Sequence, residues 1–269
     1  GPVGSFPYQI NYFGDSRATF DVFFPGLIPG DPFNPPPALS AGWSSYYEQV
    51  VRPAIFHPDN RGRLDQWVRV ARLPFDAGDY LATVEVSAAD VLRYAVVNLN
   101  DARDTLGGFP FENRLRWYTG SDNDLLLNIL VPRAAADAVA VADMNTRYAT
   151  SGVLQRPLVT LHTLRDQQVP YFHERLYALK TLASGSFLTR HVNLPIDRFE
   201  HCNFTAEEAL FSFVLMLLKD GALQEVTGTA PFLSAAQQAA FERRAAEAGI
   251  PYRRDAGALS LRLTAAPRR

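Results

Sequence analysis

The sequence predicts a mixed α/β protein, and a change of texture along the chain carries that reading. Residues 41–150 hold apolar side chains at helical spacing with no comparable strand pattern. From residue 156 the order becomes strand, helix, strand, helix, which implies the edge of a parallel sheet. The 269 residues, 47% apolar and 20% charged, have the composition of a globular chain with room for one large domain or two small ones. These patterns divide the chain into a mainly helical region over 1–155, an α/β portion over 156–220, and a C-terminal helix and tail over 221–269.

Residues 1–40 are rich in glycine, proline and aromatics, from Phe6 to Phe33, and the run Pro35-Pro36-Pro37 breaks any long element. One short helix is expected near 18–24. Helices follow over 44–55 and 61–71, the second with Leu64, Trp67, Val68 and Ala71 on one face. Ser87 is a candidate cap for a helix bearing Val91, Leu92, Ala95 and Val96. Residues 125–130 are apolar, and 134–148 are alanine-rich, a good helix former.

A buried strand is expected over 157–163, a helix over 171–182 and a second strand over 187–194. A helix over 205–219 starts at Thr205, with Glu208 three residues on completing a capping box. The tail reads as a helix over 234–248 and a short hairpin or edge strand near 258–263. There is no internal repeat.

Several function classes fall away. The formal net charge of −2 and the dispersed basic residues exclude a nucleic-acid partner. No apolar run reaches membrane-spanning length. Gly107-Gly108 lacks the lysine and helix of a phosphate loop. His57, His162, His173 and His191 are scattered without ligand spacing, so neither metal nor cofactor is expected. Cys202 is a lone cysteine and reads as a small buried side chain.

Two residues stand out for chemistry. Asp166 follows the first predicted strand, and functional groups of open α/β sheets gather beyond strand carboxyl ends. His201 follows the second, just before the capped helix, where a loop between rigid elements suits a proton shuttle. They lie 35 positions apart, room for one helix and one strand, which sets both on the same edge of adjacent strands. Asp197 is a backup acid, better suited to an arginine partner. Glu207 and Glu208 read as helix-start carboxylates that favour the helix dipole. Trp43, Tyr46, Tyr47, Trp67, Trp117 and Tyr118 read either as an acyl or aryl pocket or as plain core packing.

The phrases PLVTLHTLRDQQVPYFHERLY (157–177) and RFEHCNFTAEEALFSFVLML (198–217) resemble the acid-bearing and histidine-bearing segments of serine hydrolases with the α/β-hydrolase fold. Residues 158–218 carry that resemblance, and acid before histidine is the family's order. It implies that Asp166 and His201 are the acid and base of a catalytic triad. It also implies that 1–155 is a large lid, with GPVGSF ending the strand before it and FPFENRLRWYTGSDNDLLLN (109–128) as lid sequence. The implied substrate is a small-molecule carboxylic ester with an apolar acyl or aryl part, or else an amide.

The sequence departs from the family at the nucleophile. No G-x-S-x-G elbow is present: Gly42-Trp43-Ser44-Ser45-Tyr46 lacks the second glycine, Gly185-Ser186-Phe187 has the wrong neighbours, and Ser5 has no strand before it. The resemblance therefore implies a serine supplied upstream, on a companion chain or an N-terminal part, with Gly1-Pro2 as a junction made by processing or truncation. Two strands alone also leave unpaired backbone at an edge, so a partner or self-association is expected. Without the nucleophile, the chain is otherwise an inert fragment or an interaction module.

Overall fold

The computed structural model describes residues 9–264, so GPVGSF and Ser5 lie outside the described residues. The chain is mixed α/β and forms two compact units. Among the described residues, one comprises 9–149 and 167–170, the other 150–166 and 171–264.

The described part of the first unit is helical. Helix α1 spans Gln9–Phe23, α2 Pro37–Tyr46, α3 Arg52–Ile55, α4 Arg61–Ala71, α5 Tyr80–Leu106, α6 Asp124–Leu130 and α7 Ala138–Asp143. Its core is aromatic. Trp67 is fully buried, meets Phe20 edge-on at 5.0 Å, and donates from Nε1 to the Ser16 carbonyl at 3.0 Å. Such offset contacts combine apolar burial with a satisfied polar edge. Arg17 is also buried, held by Asp21 and the Ile28 carbonyl, and burial pushes its pKa down to about 10. Gly14 is required where it stands, because a Cβ there would lie 2.4 Å from the Phe111 ring.

Helix boundaries depart from the expectations for identifiable reasons. The helix expected at 18–24 is the end of the longer α1. The helix expected over 44–55 is interrupted by a π-helical turn at Tyr47–Val51, next to Pro53. Proline lacks the N–H and crowds the preceding turn, and a widened turn absorbs both. Ser87 is no cap: it lies inside α5 and donates to the Pro74 carbonyl at 2.5 Å. Residues 134–137 do not join α7, because Ala134, Ala136 and Asp137 give their N–H groups to Asn113, Glu112 and Phe109. Residues 167–170 belong to this unit through Asp90, which accepts from Gln167 at 2.8 Å and Gln168 at 3.1 Å.

The second unit holds β1 (Leu158–Arg165), α8 (Phe172–Ala183), α9 (Phe187–Arg190), β2 (His191–Phe199), α10 (Ala206–Lys219), β3 (Leu223–Thr229), α11 (Ala235–Glu247), β4 (Tyr252–Ala258) and β5 (Ser260–Leu263). Strands β1 and β2 pair in parallel, from Leu158 opposite His191 to Thr163 opposite Ile196, with a register shift before Arg165. A second sheet has the order β4-β3-β5, with β4 parallel and β5 antiparallel to β3. The core joins Phe211, Val214 and Leu215 of α10 to Val226 and Phe241, with Val159 and Val192 packed against it.

The strand expected at 187–194 starts later and runs further. Residues 187–190 instead close a helical turn, Arg190 N–H to the Ser186 carbonyl, after Gly185 at φ +77°. No strand is predicted over the residues that form β3. The capping box at Thr205 and Glu208 is present, and a second one joins Ser234 and Gln237.

Replacing Trp67 with alanine should destabilise the first unit by about 3–5 kcal/mol. Denaturant unfolding followed by helical circular dichroism measures this; a loss below about 1 kcal/mol would mean the aromatic core does not anchor α1 to α4.

Candidate functional site

The parallel pairing of β1 and β2 brings the segments beyond both strands to one edge. Asp166 follows β1 directly and is 2% exposed. His201 lies in the turn after β2, its side chain 35% exposed. His201 Nδ1 is 2.7 Å from Asp166 Oδ2. A carboxylate accepts, so the neutral ring carries its proton on Nδ1 and presents Nε2 as the acceptor nitrogen. That is the tautomer a general base needs.

The turn bearing His201 is held from several directions. Thr163, fully buried, donates from Oγ1 to the Glu200 carbonyl at 2.8 Å, and Glu200 N–H reaches the Arg165 carbonyl. Arg198 bridges the turn's two ends, donating to the Asn203 carbonyl at 2.5 Å and to both oxygens of Glu208 at 3.0 and 3.2 Å. Glu208 in turn accepts the Thr205 N–H at 2.8 Å. The flanking Glu200 and Cys202 have φ of +86° and +53°. Those left-handed conformations cost energy in a non-glycine residue and persist only where neighbours fix them.

Glu207 and Glu208 do more than complement a helix dipole. Both are buried, and Arg244 approaches them at 3.4 and 3.5 Å. Burial alone would raise the pKa of Glu208. The Arg198 and Thr205 hydrogen bonds, with the charges of Arg198 and Arg244, outweigh it and hold the group below its ordinary value.

Cys202 is exposed, contrary to the buried thiol expected, and its Sγ lies 3.4 Å from His201 Nε2. Cys202 has left-handed backbone, and its thiol meets the ring of the preceding residue, which adjacency alone would not suggest. Asp197, 75% exposed, pairs with Arg165. The arrangement thus brings Asp166, His201 and Cys202 together and commits Asp197 elsewhere.

The other candidates are taken up by structure. Trp43, Tyr47, Trp67 and Tyr118 are buried in the core of the first unit, and the Tyr46 hydroxyl donates to Leu27; Trp117 is exposed. His57 is exposed and its Nδ1 accepts the Asp59 N–H. His191 is buried, contacts Thr181 Oγ1 at 3.0 Å, and is held below its ordinary value by burial. Burial, then the charge of His162, pushes His173 down to about 4. Ser44 and Ser45 sit inside α2, not on a strand-to-helix turn. Ser186 is buried in a turn, accepting the Leu154 N–H.

Among the described residues, no group of three His, Cys, Asp or Glu side chains could hold a metal ion, and no helix is long and apolar enough to cross a membrane. Two open hollows of the second unit, about 620 and 560 Å³, lie at β3–β4 and before β1 and β2, and neither is lined by Asp166 or His201. In comparisons with known proteins, no family model, curated protein or solved structure matches the chain.

Glu208→Gln should cost about 2 kcal/mol at neutral pH, because it replaces charge-assisted hydrogen bonds from the part-exposed Arg198 with contacts to a neutral amide. The folded pKa of Glu208 is depressed. Its contribution is therefore full above the unfolded value near 4.5 and is lost as pH falls through the lower folded value. Denaturant unfolding across that range should show a shallower acid limb in the variant; equal slopes would contradict the pairing. Thr163→Val should cost about 1 kcal/mol by removing the hydrogen bond to Glu200. Broadening or loss of the His201 ring signals in NMR would accompany it, and unchanged signals would show that the turn holds without Thr163.

Proposed function

We propose that the second unit supplies the acid and base of an α/β-hydrolase-type serine hydrolase. Asp166 holds His201 in the Nδ1–H tautomer and stabilises its imidazolium. His201 Nε2 takes a proton from a serine hydroxyl and returns it to the leaving group. The serine comes from outside this sequence, which contains no nucleophile elbow. In this reading the helical unit corresponds to an inserted lid, and the substrate is a carboxylic ester. The preference for an apolar acyl or aryl part rests on the family resemblance, because most of the candidate pocket aromatics are core residues. Amides fit the same pair.

The observation that carries this reading is the 2.7 Å contact of a buried carboxylate with Nδ1 of a part-exposed histidine, beyond two parallel strands. Buried charge is costly unless it is paired, so such a carboxylate is a candidate working group.

A second reading, an interaction module, draws on a different observation. Leu115, Trp117, Leu125, Leu126, Ile129 and Leu130 of the first unit are all exposed. Large exposed apolar side chains in that number favour a covering partner.

Material from the native source, treated with a fluorophosphonate, distinguishes the two. The hydrolase reading predicts a labelled serine on a polypeptide joined to or associated with this chain, with turnover of aryl esters. His201→Ala should then lower kcat by a factor on the order of 10⁴, as should Asp166→Asn. Absence of label and turnover, or full turnover in His201→Ala, would overturn it.

A further inference from the structure

The Asp166 carboxylate faces two histidines. His162, near the end of β1 and only 12% exposed, places Nε2 3.8 Å from Oδ2. That is the same oxygen that meets His201 Nδ1 at 2.7 Å. The other ring nitrogen of His162, Nδ1, lies 2.8 Å from the Thr163 carbonyl. A carbonyl oxygen only accepts, so Nδ1 keeps its proton as long as this contact holds. At 3.8 Å, Nε2 lies within ion-pairing distance of the carboxylate but beyond a hydrogen bond, and it carries a lone pair in the neutral ring and an N–H in the protonated one. The first arrangement is repulsive and the second attractive.

We propose that His162 is a positioning residue for Asp166, one that leaves Oδ2 to His201 when neutral and draws it away when protonated. The catalytic meaning of this competition rests on the hydrolase reading; the competition itself does not.

The neighbouring groups are consistent with this role. On α8, His173 stands close enough to be depressed by the charge of His162. Glu174, also on α8, is engaged by Thr160 at 2.7 Å and Asn193 at 2.7 Å. The Tyr171 ring meets His162 edge-on at 5.6 Å, and its hydroxyl donates to Asn193. Arg165 pairs with Asp197, and His201 lies across the carboxylate. Asp166 is thus the anion placed to receive a His162 N–H.

Nitrogen-15 NMR of the histidine rings in this chain tests the proposal without any substrate. His162 should be the Nδ1–H tautomer when neutral. As acid protonates it, the His201 Nδ1 signal should shift in step. His162→Gln should abolish that step while leaving the other backbone signals in place. An Nε2–H tautomer at His162, or a His201 response identical in wild type and His162→Gln, would overturn the proposal. Should His162→Gln fail to fold, His162→Asn and the wild-type tautomer decide the matter. Because the readout is spectroscopic, loss of the hydrolase reading would leave this result standing, and the reverse also holds.

Discussion

Parallel pairing of β1 with β2 is the constraint on which the rest of the second unit depends. Parallel strands need a crossover, and α8 and α9 provide it. The consequence is geometric: both strands deliver their following residues to the same edge, so two groups far apart in sequence meet there. An antiparallel pair would have put Asp166 and His201 at opposite ends. The shift in register before Arg165 adds to this, since such irregularities re-aim the residues that follow them.

The same unit keeps several carboxylates out of water, and each has a compensating partner. Asp166 has two histidines within reach, and Glu208 has two arginines and a backbone N–H. These are not independent arrangements. Arg198 and Glu208 brace the turn that carries His201, while Thr163 ties that turn to β1. Left-handed backbone at Glu200 and Cys202 is tolerated because the bracing over-determines it. A general base needs this sort of fixed ring, since a misplaced imidazole loses both its tautomer control and its aim.

Much of this was legible in the sequence where local chemistry and periodicity agreed. Thr205 with Glu208 marked a helix start, and residues 61–71 fell on a helical period, as α4 is. Asp166 and His201 were found from their positions after two expected strands. What stayed hidden was non-local. Strand β2 runs through Pro195, Asp197 and Arg198, which read as loop residues because their exposure depends on which neighbours the strand has. Strand β3 alternates Leu223, Val226 and Gly228 with polar residues too irregularly to mark a period. Cys202 is exposed on left-handed backbone, and His162 comes within reach of Asp166 only through the path of the strand end, neither of which a local pattern marks. His162 did carry one signal, its spacing four residues before Asp166, but in a strand such spacing alone does not imply contact.

Asp166, and not another acid, holds His201 Nδ1–H. Low-field proton NMR of the chain reads this hydrogen bond directly. A strongly downfield imidazole N–H should be present in the wild type and in Asp197→Asn, and absent from both Asp166→Ala and His201→Ala. Persistence of that proton in Asp166→Ala, or its loss in Asp197→Asn with the fold intact, would contradict the account.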